Sequence, residues 1–129
     1  MIRNILAVIV GLVVGNIAIM GLHYLGMVFY PLPEGVDMND MKAISEYISI
    51  APLWSLLFVM LAHIGGTFIA GISTALVSEN IIPIYIIGGF FTLAGINNLF
   101  MLPHPLWFNI EVIFYFPAAI YSHKLIRKQ

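Results

Sequence analysis

Six residues of this chain carry side chains that do chemistry although they fall in or beside apolar sequence: His23, His63, Asn98, His104, Glu111 and Tyr115. An ionisable side chain in hydrocarbon is costly, so it usually faces a partner, a cavity or a ligand. Two imidazoles and a carboxylate, from His23, His63 and Glu111, form a donor set for zinc, iron or manganese with a position open to water. His23 and His63, on separate helices, also match the axial ligands of a haem held in a bundle core. Each of the three outer histidines has a methionine one turn away (Met27 by His23, Met60 by His63, Met101 by His104). Thioether with imidazole leans toward Cu(I). A further chemistry needs no metal, because a carboxyl in low dielectric and a nearby imidazole can exchange a proton, as a relay or a coupling site.

Plainer readings stand beside these. A lone intramembrane histidine is more often a packing residue than a ligand. Seven methionines in so apolar a chain fall near histidines by chance. Asn97 and Asn98 point about 100° apart on a helix, so one can bond to a neighbouring helix while the other faces a turn. No catalytic motif accompanies the cluster. The absence of cysteine excludes disulfides, thiolate catalysis, iron–sulfur ligation and cysteine-type zinc sites.

The elements that must position these residues follow from composition. Of 129 residues, 61% are hydrophobic and 9% charged, against about 25% charged in a soluble domain. A soluble core this small has no room for that apolar surface, so the chain reads as integral to a membrane. A net charge of −1 lacks the basic face that nucleic acid needs. Four apolar stretches run over about 5–29, 53–77, 81–102 and 106–121, each near the roughly 20 residues that a helix needs to cross hydrocarbon. The fourth is the shortest and contains Pro117, which should kink it. Barrel strands would be about half as long and alternate in polarity. The first stretch is too long for a signal h-region and has no small-x-small site before a polar start, so it reads as a retained helix.

Basic residues orient the bundle. Arg3 flanks the first stretch and Lys124, Arg127 and Lys128 follow the fourth, while loop 30–52 carries Glu34, Asp37, Asp40 and Glu46 against Lys42. The positive-inside rule puts both termini in the cytoplasm and this loop outside, in a multi-pass protein of the bacterial inner membrane. Within the loop, Asp37 or Asn39 is the expected N-cap of a short amphipathic helix. Met41, Ile44 and Ile48 form its apolar face, and Pro52 limits it. It is either a connector on the surface or a lid over the bundle mouth.

Small residues predict close packing: Gly11 with Gly15 and Gly26, then Gly66, Ala70 and Thr74, then Gly88, Thr92 and Gly95. They serve either packing within the chain or a homo-oligomer interface. At about 1.5 Å per residue, His23 lies about 9 Å from the outer end, His63 about 15 Å and Glu111 about 8 Å. His104, Glu111, Tyr115, Ala118 and Ser122 share one stripe, His63 and Thr67 another, and Asn16 and His23 a third. With these stripes inward, the outer half of the bundle encloses a polar pocket centred on Glu111.

The expected protein is therefore a single all-α membrane domain, 1–129, built as a four-helix transmembrane bundle. Its expected role is non-enzymatic: to bind or pass a small ligand, a proton or a metal ion. Its partners are the lipid bilayer and a homo-oligomer or larger membrane complex, without nucleic acid. A purely structural subunit and a haem- or metal-dependent enzyme or carrier are the alternatives, which leaves the cofactor open.

Overall fold

The computed structural model describes residues 1–37 and 39–128. These fold into α1 (Ile2–Phe29), α2 (Met41–Ile50), α3 (Leu53–Val77), α4 (Ile82–Met101), a 3-10 helix (Leu106–Glu111) and α5 (Val112–Arg127), with no strand among the described residues. By length and composition α1, α3 and α4 are each able to cross a membrane. Prolines and polar turns set their limits. Pro52 precedes α3, and Asn80 Oδ1 accepts the Ile82 amide at 2.9 Å to start α4. Pro103 follows α4, and a residue before proline is pushed out of helical geometry.

The fourth apolar stretch departs from expectation. Instead of one α-helix over 106–121, its first six residues wind as a 3-10 helix, and the 16-residue α5 continues to Arg127. Pro105 is extended, and its carbonyl accepts the Phe108 amide at 2.9 Å, a tight i→i+3 start that suits a short 3-10 segment. At the other end α5 runs past Tyr121 because its polar last turn has partners. The Arg127 guanidinium donates to the Ala75 carbonyl, where α3 ends and a cation suits the exposed carbonyls.

Small residues bring the backbones together within the chain. A Cβ added at Gly15 of α1 would lie 2.6 Å from Ala70 Cβ on α3 and 2.8 Å from Phe91 Cζ on α4. One added at Gly71 would lie 3.0 Å from the Ala119 carbonyl of α5, and one at Gly88 would lie 2.8 Å from Phe116. The Gly11/Gly15 pair is thus consumed by α3 and α4. Around these approaches Ala70, Ala75, Ile84, Ile87, Phe91 and Ala119 form the buried core. Large apolar side chains such as Ile17, Met20, Leu93 and Ile113 stay exposed on the outside, the arrangement expected of helices surrounded by lipid.

Both ends of the chain meet the α3–α4 turn. Arg3 Nε donates to the Val77 carbonyl at 2.6 Å, and Ser78 Oγ donates to Asn4 Oδ1 at 2.7 Å. α1 and α4 therefore run one way while α3 and α5 run the other. At the opposite end, α2 is capped by Asp40, whose Oδ1 accepts the Lys42 amide at 2.9 Å, rather than by Asp37 or Asn39. Asp37 Oδ1 is occupied by the Asn39 amide at 2.8 Å, an Asx turn that delays the helix start. Ile48 and Ile44 pack against Leu56 and Phe108, whereas Met41 stays half exposed. α2 is thus seated on the bundle mouth by two side chains.

Candidate functional site

The tight 3-10 winding ends at Glu111 and turns its carboxyl into the bundle, where it is 0% exposed. α3 brings His63 opposite, with Nδ1 at 3.2 Å from Glu111 Oε2 and 3.3 Å from Oε1. An Nδ1–H there donates into the carboxylate, fixes the ring orientation and leaves Nε2 free. The His63 ring then meets two more side chains. His23 of α1 lies at 4.9 Å between ring centroids, tilted by 47°. Tyr115 of α5 lies at 6.3 Å, edge to face. Thr67, one turn along α3, is held by its own bond to the His63 carbonyl at 2.8 Å.

Two of these side chains keep an unused polar atom. His23 Nε2 and the Tyr115 hydroxyl are buried without a hydrogen-bond partner. The Tyr115 hydroxyl lies near the Glu111 carboxylate, one turn back on the same face. Buried polar groups are nearly always paired, so two orphans beside one carboxyl–imidazole pair mark an unusual place.

Cavities adjoin the pair on both sides. An outer one of about 210 Å³ is lined by His23, His63, Asn98 and His104, with apolar walls that include Leu56 of α3 and Ile48 of α2. A second, of about 220 Å³, lies deeper between α1 and α4 and is lined by Asn16, His63, Thr67, Asn98 and Tyr115 beside Phe91. His63 and Asn98 border both.

His104 lines the outer cavity, but it is committed locally. Its Nδ1–H donates to the Leu102 carbonyl at 3.0 Å, and its ring stacks on Phe108 at 4.5 Å. Burial pushes its pKa below the ordinary histidine value, against the opposing pull of that hydrogen bond and of Glu111.

No group of three or more His, Cys, Asp or Glu among the described residues is disposed to hold a metal ion. The reason is local: His63 gives Glu111 the nitrogen that faces it, and His23 packs on the ring of His63 rather than aiming at a common point. The methionines do not converge either. Met101 is exposed and accepts from Asn97 at 3.2 Å, while Met60 packs in the apolar cluster around Phe108.

Tyr47 and Ile44 of α2 also line the outer cavity, and Tyr47 is not among the residues that sequence alone singles out. The amphipathic period of α2 was the available signal. Asn16 shares with His23 a stripe expected to face inward. It is instead exposed on α1, with its Nδ2 returning to the Leu12 carbonyl at 2.8 Å, and belongs to the second cavity. Neither a protein-family model, nor a characterised protein, nor a solved structure matches this chain.

Proposed function

We propose that this chain is a non-enzymatic four-helix membrane protein that binds a small ligand in the outer cavity and exchanges a proton at the Glu111–His63 pair. In this reading the 3-10 helix and α5 together form the fourth crossing. About 24 Å of α-helix and about 12 Å of 3-10 helix match the hydrocarbon thickness. Both termini lie in the cytoplasm with Arg3, Lys124 and Arg127, and the acidic loop bearing α2 lies outside, in a bacterial inner membrane. The whole of 1–129 acts as one domain, alone or within a larger membrane assembly.

One observation carries the reading: a fully buried carboxyl is paired with an imidazole that forms the wall of a largely apolar cavity. A carboxyl needed only for packing has cheaper replacements in lipid. A carboxyl whose proton an adjacent imidazole can take or return is instead placed to answer what enters beside it. His23 extends this wall beside the ring of His63.

Infrared difference spectra of the protein in lipid nanodiscs, taken as the outer solution is changed from H2O to D2O, test the proposal. A carboxyl–imidazole band should shift on exchange, vanish in Glu111→Gln and move in His63→Gln. Proton exchange from the outer solution should slow when α2 is fixed down by a cross-link. Variants that fold normally while the carboxyl and imidazole signals do not respond to exchange would refute proton exchange and leave the pair as a device for helix pairing.

A further inference from the structure

Two imidazoles that line the outer cavity have their nitrogens already sorted. His104 Nδ1 meets the Leu102 carbonyl at 3.0 Å, and a carbonyl only accepts, so that nitrogen carries the proton. Burial lowers the pKa of His104, which keeps the ring neutral and its Nε2 a bare lone pair. His63 spends its Nδ1–H on the Glu111 carboxylate, and its Nε2 is an acceptor likewise. Unlike His23 Nε2, neither of these atoms is buried, and neither has a partner among the described residues. His104 stands close enough to His63 and Glu111 to feel the charge of both. The polar end of the cavity therefore offers lone pairs, with a carboxylate directly behind one of them.

The remaining walls suit a cation with an apolar body. Tyr30, Tyr47 and Phe58 line the cavity, and aromatic faces attract an ammonium within about 6 Å of the ring centre. Loop 30–52, which supplies Tyr30 and Tyr47, carries Glu34, Asp37, Asp40 and Glu46 against the single Lys42. Those four carboxylates are exposed, so their field draws cations to the mouth and repels anions. We propose that the outer cavity binds a small protonated amine, whose ammonium donates to Nε2 of His63 and His104 and whose apolar body lies between Tyr30, Phe58 and α2. The His63 ring links that ammonium to the Glu111 carboxylate, so the charge that enters is balanced. About 210 Å³ holds a one-ring amine. This rests on the outer cavity being the ligand site and adds the class of ligand.

Benzylamine is the probe, with benzyl alcohol as a neutral donor of the same shape and benzoate as an anion. Equilibrium dialysis of each against the full chain in phosphatidylcholine nanodiscs, with empty discs subtracted, measures binding. Benzylamine should bind saturably and about tenfold more tightly than benzyl alcohol, the difference between a charge-assisted and a neutral hydrogen bond. Benzoate should not bind. Glu111→Gln keeps the volume and removes the charge, so it should erase the tenfold preference. His104→Phe keeps a ring against Phe108 and removes the acceptor, and should weaken benzylamine about tenfold. Glu34→Gln with Glu46→Gln alters only exposed side chains, and at low ionic strength it should weaken benzylamine while benzyl alcohol is unchanged. Benzylamine that binds without saturation, or no more tightly than benzyl alcohol, overturns the proposal, as does saturable binding of benzoate. So does a preference for benzylamine that survives Glu111→Gln. Saturable binding of benzyl alcohol alone would refute the amine and leave the cavity as the ligand site. Carboxyl exchange in D2O is read without any ligand, so failure here and failure of the proton-exchange reading are told apart.

Discussion

Removing His63 should destabilise the protein by an amount that depends on what stands at position 111. In the native chain His63 Nδ1 is the side-chain partner of a carboxyl that is 0% exposed. Deleting one partner of a buried pair costs about 3–5 kcal/mol, because the other is left uncompensated. The contacts here, at 3.2 and 3.3 Å, are longer than the roughly 2.7–2.9 Å of strong charge-assisted bonds. His63 also retains 17% exposure. Both facts put His63→Ala at the low end, near about 3 kcal/mol. Glu111→Gln keeps the volume and an acceptor oxygen, so it should cost about 1 kcal/mol. In the Glu111→Gln background, His63→Ala then leaves a neutral amide instead of a carboxyl and should cost only about 1–2 kcal/mol. The coupling is thus about 1–2 kcal/mol. Reversible unfolding of the two single variants and the double variant in mixed micelles measures it directly. Equal costs of His63→Ala in both backgrounds would show that the pair carries no interaction and would remove the basis of the site.

Other expectations can be checked with similar means. Gly15→Ala should cost about 1–3 kcal/mol through overpacking against Ala70 and Phe91. Gly21→Ala, with nothing within 4 Å of the added Cβ, should be neutral or stabilising by up to about 1 kcal/mol, as unfolding in micelles will report. Because the chain has no cysteine, single-cysteine variants give a clean topology test: Glu34→Cys should react with an impermeant maleimide on intact cells, and Lys128→Cys only after permeabilisation. The lowered pKa of His104 means that the unfolded chain takes up a proton there before the folded one does. Its contribution should therefore oppose folding increasingly as pH falls below about 6.5, and His104→Gln should flatten the acid limb of a stability–pH curve. Ile48→Ser should release α2 from Leu56 and Phe108 and speed hydrogen exchange at His23, read by isotope-resolved mass spectrometry.

The apolar helices were legible because their causes are local. Long runs without charge, punctuated by Pro52, Asn80 and Pro103, locate α1, α3 and α4 to within three residues. Gly11, Gly15, Gly66 and Ala70 announce close approach by their size alone. The start of the fourth stretch was not legible in the same way. Leu106–Glu111 is apolar enough for an α-helix, and its 3-10 winding comes from the tight turn that Pro105 closes with Phe108. The cap of α2 was misplaced because Asp37, Asn39 and Asp40 are chemically similar, and the order in which their oxygens are claimed decides among them.

For the site, residue types and stripes were enough to bring Glu111 and His63 together and to put His104 at the rim. They could not assign partners. Whether His23 aims a nitrogen at a shared point or lays its ring on His63 depends on the rotation of α1 against α3, which Gly15, Gly66 and Ile19 set through packing. The second cavity arises from a gap between α1 and α4, two helices separated by the whole of α3 in the chain, and no local pattern encodes a gap. The sequence by itself determined that this protein is helical, apolar and centred on a buried carboxyl, because hydrophobicity, proline and charge act residue by residue. Only the tertiary structure decided which nitrogen meets that carboxyl and which hydroxyl is left without a partner, because distances between helices are properties of all the contacts together.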